Sequence, residues 1–114
     1  MKYEEIVADL KAGKYAPIYF LSGEESYFLD DIATRIEKNA LTEDEKAFNQ
    51  TILYGNDVSM TTVTDTARRF PMMSQRQVVI VKEAQNIRDF ENLLPYIDHL
   101  QPTTILVFLY KNKK

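Results

Sequence analysis

The sequence predicts an α/β fold with three layers, in which helices cover both faces of a parallel β-sheet. Segments with the period of an amphipathic helix alternate with short apolar runs, in the order helix, then strand and helix three times, then strand. The last two apolar runs, residues 77–81 and 103–110, are apolar on both faces. Such runs are typical of strands buried in a parallel sheet, and right-handed crossovers would connect them.

Each predicted helix has an apolar stripe at helical spacing and an identifiable boundary. Gly13 ends the first helix, Asp57 is the predicted N-cap of the third, and Pro71 ends that third helix. The second helix has the strongest apolar stripe. The predicted helices cover residues 3–12, 25–40, 57–70 and 86–99.

Each predicted strand is a short apolar run with turn residues or a polar connection at its ends. The run at 77–81 (QVVIV) is the clearest because its residues are β-branched or long aliphatic. Residues 41–46 are polar and are predicted to connect the second helix to the second strand without regular structure. The predicted strands cover residues 16–21, 48–54, 77–81 and 103–110.

Length, charge and residue usage limit the classes of function that this chain could have. A chain of 114 residues predicts one domain, residues 1–114. With no cysteine and one histidine, it has few groups for nucleophilic or metal chemistry, and a net charge of −3 argues against a stand-alone nucleic-acid binder. No apolar run reaches the roughly 20 residues of a membrane helix, and the acidic N-terminus does not resemble a signal peptide. These observations favour a cytoplasmic interaction domain over an enzyme.

The turn after the first strand is where a fold of this class would bind phosphate. It contains Gly23, Glu24 and Glu25 but lacks the second glycine, the lysine and the Ser/Thr of a phosphate loop. The two carboxylates would repel a phosphate. Ser22 and Glu25 have the spacing of an S-x-x-E capping box instead, so the turn is predicted to be a degenerate phosphate-loop position.

The other polar residues predict no catalytic, metal or cofactor site. Lys82 follows the third strand, where an ATPase would place acidic residues for magnesium. His99 lies near a helix end, where it is typical of a surface residue. Arg68, Arg69, Arg76 and Lys82 are compatible with a modest basic patch or with a solvated face containing a few ion pairs.

The segment before the third strand is unusual because two methionines follow a proline. Phe70, Pro71, Met72 and Met73 precede Ser74 in a short loop, where both methionines cannot easily face the core. Methionine is common on adaptable binding surfaces, and exposed apolar pairs often mark interfaces. From the pattern alone, the pair either covers the bottom of the core or forms an interface.

Three stretches together resemble a known family: PIYFLSGEESYFLDD, FPMMSQRQVVIVKEAQ and TTILVFLYKNKK. They are similar to the N-terminal domain of the delta subunit of the bacterial DNA polymerase III clamp loader, from about Tyr3 to Lys114. The motifs that carry the resemblance are the degenerate turn at Gly23, the stretch from Met72 to Arg76, and a strand that ends in Lys-Glu-Ala.

The resemblance implies an AAA+-like fold with a degenerate nucleotide site, in a subunit that binds the sliding clamp and helps to open it for loading onto primed DNA. Met72 and Met73 align with the family's clamp-binding wedge, and Phe70 and Pro71 flank it. The best-known wedge has a leucine and an aromatic residue there, so the methionines depart from it. The resemblance implies no cofactor and no activity of the domain by itself, although the subunit is part of a DNA-directed DNA polymerase holoenzyme.

Assembly with the other clamp-loader subunits is expected through C-terminal domains that this chain lacks, and contact with primed DNA is expected to be indirect. The sequence stops at residues 111–114, directly after a strand of the central type, so a truncated domain is expected. In the AAA+ strand order 5-1-4-3-2, the first strand would then lie at an exposed edge that invites packing or dimerisation.

Two other functions stay open at the level of sequence. One is a small nucleotide-dependent ATPase or phosphotransferase of the phosphate-loop class with an atypical loop, which the missing lysine disfavours. The other is a response-regulator-like domain. It would need an acidic phosphoacceptor at the end of a central strand, where this chain has Lys82 or Lys111.

Overall fold

A computed structural model describes residues 3–23 and 25–111. Its helices and strands alternate along the chain, and two 3₁₀ turns lie between the last two strands. The helices are α1 (Tyr3–Lys11), α2 (Ser26–Asn39), α3 (Glu43–Asn49), α4 (Met60–Ala67) and α5 (Leu94–Asp98). The strands are β1 (Ile18–Gly23), β2 (Gln50–Tyr54), β3 (Gln77–Lys82) and β4 (Thr104–Lys111), and the 3₁₀ turns are Ala84–Asn86 and Phe90–Leu93.

The strands form one parallel sheet in the order β1-β4-β3-β2. Ile18 lies opposite Leu106, and Gln77 lies opposite Thr104. The order confirms the predicted AAA+-like arrangement, with β1 at one edge beyond β4. Because the strands are parallel, every loop that follows a strand lies at one end of the sheet, its carboxyl end. Every loop that precedes a strand lies at the opposite, amino end.

The sheet separates two hydrophobic cores, which confirms the three-layer prediction. Along β3, Val78 and Ile80 belong to the core under α1 and α2, whereas Val79 and Val81 belong to the core under α4 and α5. All four side chains are fully buried. The unbroken apolar run of β3 therefore reflects a strand covered on both faces.

Helix α3 replaces most of the connection that was predicted to lack regular structure, and β2 correspondingly begins at Gln50. The N-cap of α3 is Thr42, whose Oγ1 accepts a hydrogen bond from the Glu45 amide at 3.3 Å. In return, Glu45 Oε1 accepts a hydrogen bond from the Thr42 amide at 2.9 Å. This is a capping box, and its T-x-x-E spacing is visible in the sequence. The prediction missed it because α3 is polar and has no apolar stripe.

The single helix predicted over residues 86–99 is wrong. The segment consists of the two 3₁₀ turns and the short helix α5. Pro95 lies in the first turn of α5 and lacks the amide hydrogen that a continuous helix would require there. In addition, the Asp89 carboxylate accepts a hydrogen bond from the Met60 amide at 3.0 Å, so this side chain supports the start of α4.

Helix α4 is shorter at both ends than predicted. Its N-cap is Ser59, whose Oγ accepts from the Thr62 amide at 3.2 Å, and the predicted cap Asp57 lies in the preceding turn. The helix ends at Ala67, before Phe70 and Pro71. Within the part of the chain that the structure describes, no helix is long and apolar enough to cross a membrane.

Candidate functional site

The loop between α4 and β3, residues 68–76, lies at the amino end of the sheet and exposes large apolar side chains. We call it the methionine loop. Phe70 is 77% exposed, Met72 62% and Met73 100%. Met73 also has a φ of 56°, in the left-handed region that residues other than glycine rarely adopt. The methionines therefore lie on the surface, and the alternative that both cover the core is wrong.

Asn49, the last residue of α3, holds the backbone of Met72 from both sides. Its Oδ1 accepts from the Met72 amide at 2.7 Å, and its Nδ2 donates to the Met72 carbonyl at 2.9 Å. Nδ2 also donates to the Glu45 carbonyl at 3.0 Å. Asn49 is 2% exposed, so this amide is a buried polar group whose hydrogen bonds are made within the protein.

Glu45 and Ser74 form a second link between α3 and the methionine loop. Ser74 Oγ lies 2.9 Å from Glu45 Oε2 and 3.0 Å from the Arg76 carbonyl, so the hydroxyl can donate to either acceptor. Two hydrogen bonds lower the pKa of the Glu45 carboxyl: the one from the Thr42 amide has the larger effect, and the one from Ser74 has the next largest. The carboxylate thus caps its own helix and supports the loop. Sequence reasoning missed Glu45 and Asn49 because it missed α3; the T-x-x-E spacing could have located the helix.

The start of the methionine loop is held by side chains that satisfy the last carbonyls of α4. Gln77 Nε2 lies 3.0 Å from the Thr66 carbonyl and 2.8 Å from that of Arg69. Thr104 Oγ1 donates to the Ala67 carbonyl at 2.6 Å. Gln77 and Thr104 are the first residues of β3 and β4, so the sheet itself fixes the point from which the loop departs.

Arg76 closes the loop beside a cavity of about 450 Å³. Its guanidinium carbon lies 4.7 Å from the ring centroid of Tyr15, which is cation–π geometry. Lys82 does not join Arg68, Arg69 and Arg76 in one basic patch, because Arg76 precedes β3 whereas Lys82 is the last residue of that strand. The strand places the two side chains at opposite ends of the sheet, on the order of 20 Å apart at about 3.3 Å per residue.

The turn after β1 lies at the carboxyl end of the sheet and has a different character. Gly23 has a φ of 142°, and Glu25 is the N-cap residue of α2 but makes no side-chain capping bond. The predicted capping box between Ser22 and Glu25 is therefore wrong: Ser22 is still part of β1, and Glu25 does not reach the third helical position that the box requires. Glu24 lies outside the described residues.

The described residues contain no cluster of three or more His, Asp or Glu side chains that could hold a metal ion. His99 is exposed and occupies the C-cap of α5, which agrees with its prediction as a surface residue at a helix end. The methionine loop is thus the feature of the described chain that is most clearly shaped for recognition.

Comparisons with known proteins are consistent with this fold. The profile of the family described as DNA polymerase III, delta subunit, matches residues 19–114. The curated DNA polymerase III subunit delta of Bacillus subtilis (strain 168) is 27% identical in an alignment 120 positions long, which covers 96% of this chain and 35% of that protein.

Solved structures agree with the family match. The Bacillus subtilis DNA clamp loader delta protein superposes with a TM-score of 0.85 at 27% identity, over 98% of this chain and 36% of that one. A DNA polymerase III gamma subunit-related protein of Thermotoga maritima shares the fold, with a TM-score of 0.66 at 14% identity over 97% of this chain and 40% of that one. The chain thus spans about a third of the length of its delta relatives. The family profile covers most of the sequence, and the chain belongs to the DNA polymerase III delta subunit family.

Proposed function

We propose that this domain binds the sliding clamp of the replication machinery through the methionine loop and helps to open the clamp for loading onto primed DNA in the cytoplasm. The observation that carries the proposal is an exposed apolar pair, Met72 and Met73, on a loop whose backbone is hydrogen-bonded to α3 and to the sheet. Exposed apolar side chains on an ordered loop are typical of an interface.

The bracing of the loop bears directly on affinity. Burying a methionine side chain stabilises a complex by roughly 1.5–3 kcal/mol, but ordering a flexible methionine costs up to about 2 kcal/mol. A disordered loop would add the cost of fixing its backbone. Asn49 and Ser74 already hold this backbone in the free domain, so little of that cost remains at docking. The flexible methionine side chains then adapt to the shape of an apolar groove.

The position of the loop fits assembly into a larger complex. The methionine loop lies at the amino end of the sheet, opposite the turn that follows β1. A clamp bound there would leave the carboxyl end of the sheet free for other clamp-loader subunits. We propose that those subunits are held mainly by the C-terminal domains of the longer protein, and that primed DNA is contacted indirectly.

We also propose that the domain binds no nucleotide and has no activity by itself, against the alternative of a phosphate-loop ATPase. The turn at Gly23 contains no lysine, and Lys82 occupies the place of a metal-binding carboxylate. Calorimetry with ATP and magnesium should therefore give no heat of binding. A saturable micromolar isotherm would contradict the proposal.

The direct test of clamp binding replaces both methionines. We expect Met72→Ser/Met73→Ser to abolish binding to the cognate clamp in a pull-down or titration, with a nearly unchanged melting temperature because both side chains are exposed. Tyr27→Ser is the matched control, because Tyr27 is 71% exposed and lies in the first turn of α2, at the opposite end of the sheet. A double variant that still binds, or a wild-type domain that does not bind at low salt, would refute the proposal.

A further inference from the structure

We infer that Phe48 is a further clamp contact, and that α3 and the methionine loop dock as one continuous apolar surface. The inference rests on the proposed function and adds a second segment to the site. Phe48 lies in the last turn of α3, and its side chain is 74% exposed. This exposure is larger than that of Met72 and slightly smaller than that of Phe70.

The construction of α3 explains why Phe48 faces outward. The helix has seven residues, and Asn49 is its buried member. Glu45 faces the methionine loop through Ser74. Consecutive helical residues point about 100° apart, so Phe48 lies to one side of the face that carries Glu45 and Asn49. Its exposure shows that this side of the helix meets solvent.

Phe48 and the methionines are close because Asn49 links them. The Asn49 amide is bonded to both the amide and the carbonyl of Met72, at 2.7 and 2.9 Å. Phe48 directly precedes Asn49, so it is the chain neighbour of the residue that holds the Met72 backbone. The Ser74–Glu45 hydrogen bond joins the same two segments a second time, so α3 is attached to the methionine loop at two points.

The size of a specific interface favours this extended surface. Such interfaces bury about 800 Å² on each partner, and two methionine side chains supply only part of that area. Aromatic residues are enriched in interface cores. Phe48 is a large exposed apolar side chain on α3, the helix to which the methionine loop is attached. A clamp groove that receives Met72 and Met73 is therefore expected to continue over Phe48.

The experiment titrates the cognate clamp against five forms of this chain: wild type, Phe48→Ala, Phe48→Leu, Tyr27→Ala and Met72→Ser/Met73→Ser. We expect Phe48→Ala to raise the clamp Kd at least tenfold, Tyr27→Ala to leave it unchanged, and all forms to melt near the wild-type temperature. Phe48→Leu, which keeps an apolar side chain, should recover part of the lost affinity and guards against a folding defect in the alanine variant.

The outcomes separate the inference from the proposed function. If Phe48→Ala binds as wild type while the double methionine variant does not, the inference fails and the proposed function stands. If wild type does not bind, or the double variant binds normally, both fail. If Phe48→Ala changes only the self-association of the chain in sedimentation, its partner is a second copy, and the inference is overturned.

Discussion

The two ends of the sheet differ in how their loops are built. At the amino end, a side chain of α3 bonds the Met72 backbone, and side chains of β3 and β4 bond the carbonyls at the end of α4, where the loop begins. At the carboxyl end, Glu25 begins α2 without a side-chain capping bond. Ligands of parallel α/β folds usually bind at the carboxyl end. Here the more elaborate loop lies at the opposite end and presents apolar side chains to solvent.

Fold class alone would therefore direct attention to the carboxyl end, away from the loop that we propose as the interface. A parallel sheet with a glycine turn after β1 suggests a phosphate site, but the described residues of that turn provide no cation for it. The side chains that shape a loop are more informative. Asn49 uses a buried amide to hold a loop whose tip is apolar and exposed. A buried polar group in such a position indicates that the loop conformation matters.

The largest effect is expected for Asn49→Ala. The variant removes three hydrogen bonds of a buried amide, so the free energy of unfolding should fall by about 2–3 kcal/mol in a urea titration. Clamp affinity should fall as well, because the loop must then be ordered on binding. Ser22→Ala, at the carboxyl end, is the control and should change neither quantity by much. An unchanged stability for Asn49→Ala would show that the amide does not brace the loop.

A smaller effect is expected from the helix caps at the two ends. Thr42→Ala removes the capping box of α3 and should lower the free energy of unfolding by about 1 kcal/mol. Glu25→Ala, at the N-cap of α2, should cost less because no side-chain capping bond is lost. Thermal or chemical denaturation of both variants checks this order. Equal losses of unfolding free energy in the two variants would show that the side-chain cap of α3 adds no more stability than the N-cap residue of α2.

The smallest effect concerns pH and Glu45. Its pKa is lowered in the folded protein by hydrogen bonds, first from the Thr42 amide and then from Ser74. A lowered carboxyl pKa contributes stability that is complete above the unfolded value, about 4.3, and is lost as the pH falls through the folded pKa. Glu45→Gln should therefore weaken the loss of stability on acidification below about pH 5. If the free energy of unfolding of this variant falls with pH as steeply as that of the wild type, Glu45 is not the source of this pH dependence.

Much of the fold was predictable from the sequence because its central strands are buried on both faces. The apolar runs that became β3 and β4 indicated a parallel sheet, and the stripe of α2 indicated its covering helix. The resemblance to the family supplied the strand order. The errors arose where local polar contacts outweigh the apolar pattern: α3 depends on a capping box, and Pro95 interrupts the last helical segment.

The candidate site was predictable only at its tip. Met72 and Met73 stood out because two adjacent methionines followed a proline, and their exposure agrees with a surface role. The supporting residues, Asn49 and Glu45, act across more than 20 positions of sequence. No local pattern marks such a contact. Phe48 was read as the start of a strand, which hid the exposed face of α3.

Hydrogen exchange of the domain with and without its cognate clamp tests the central claim most directly. The account predicts that the clamp slows exchange of amides in the methionine loop, residues 68–76, and at the end of α3. It predicts no change in the turn after β1, residues 22–28, or in the first turn of α2. Slowed exchange at residues 22–28, with an unchanged methionine loop, would contradict the account and place the clamp at the carboxyl end of the sheet.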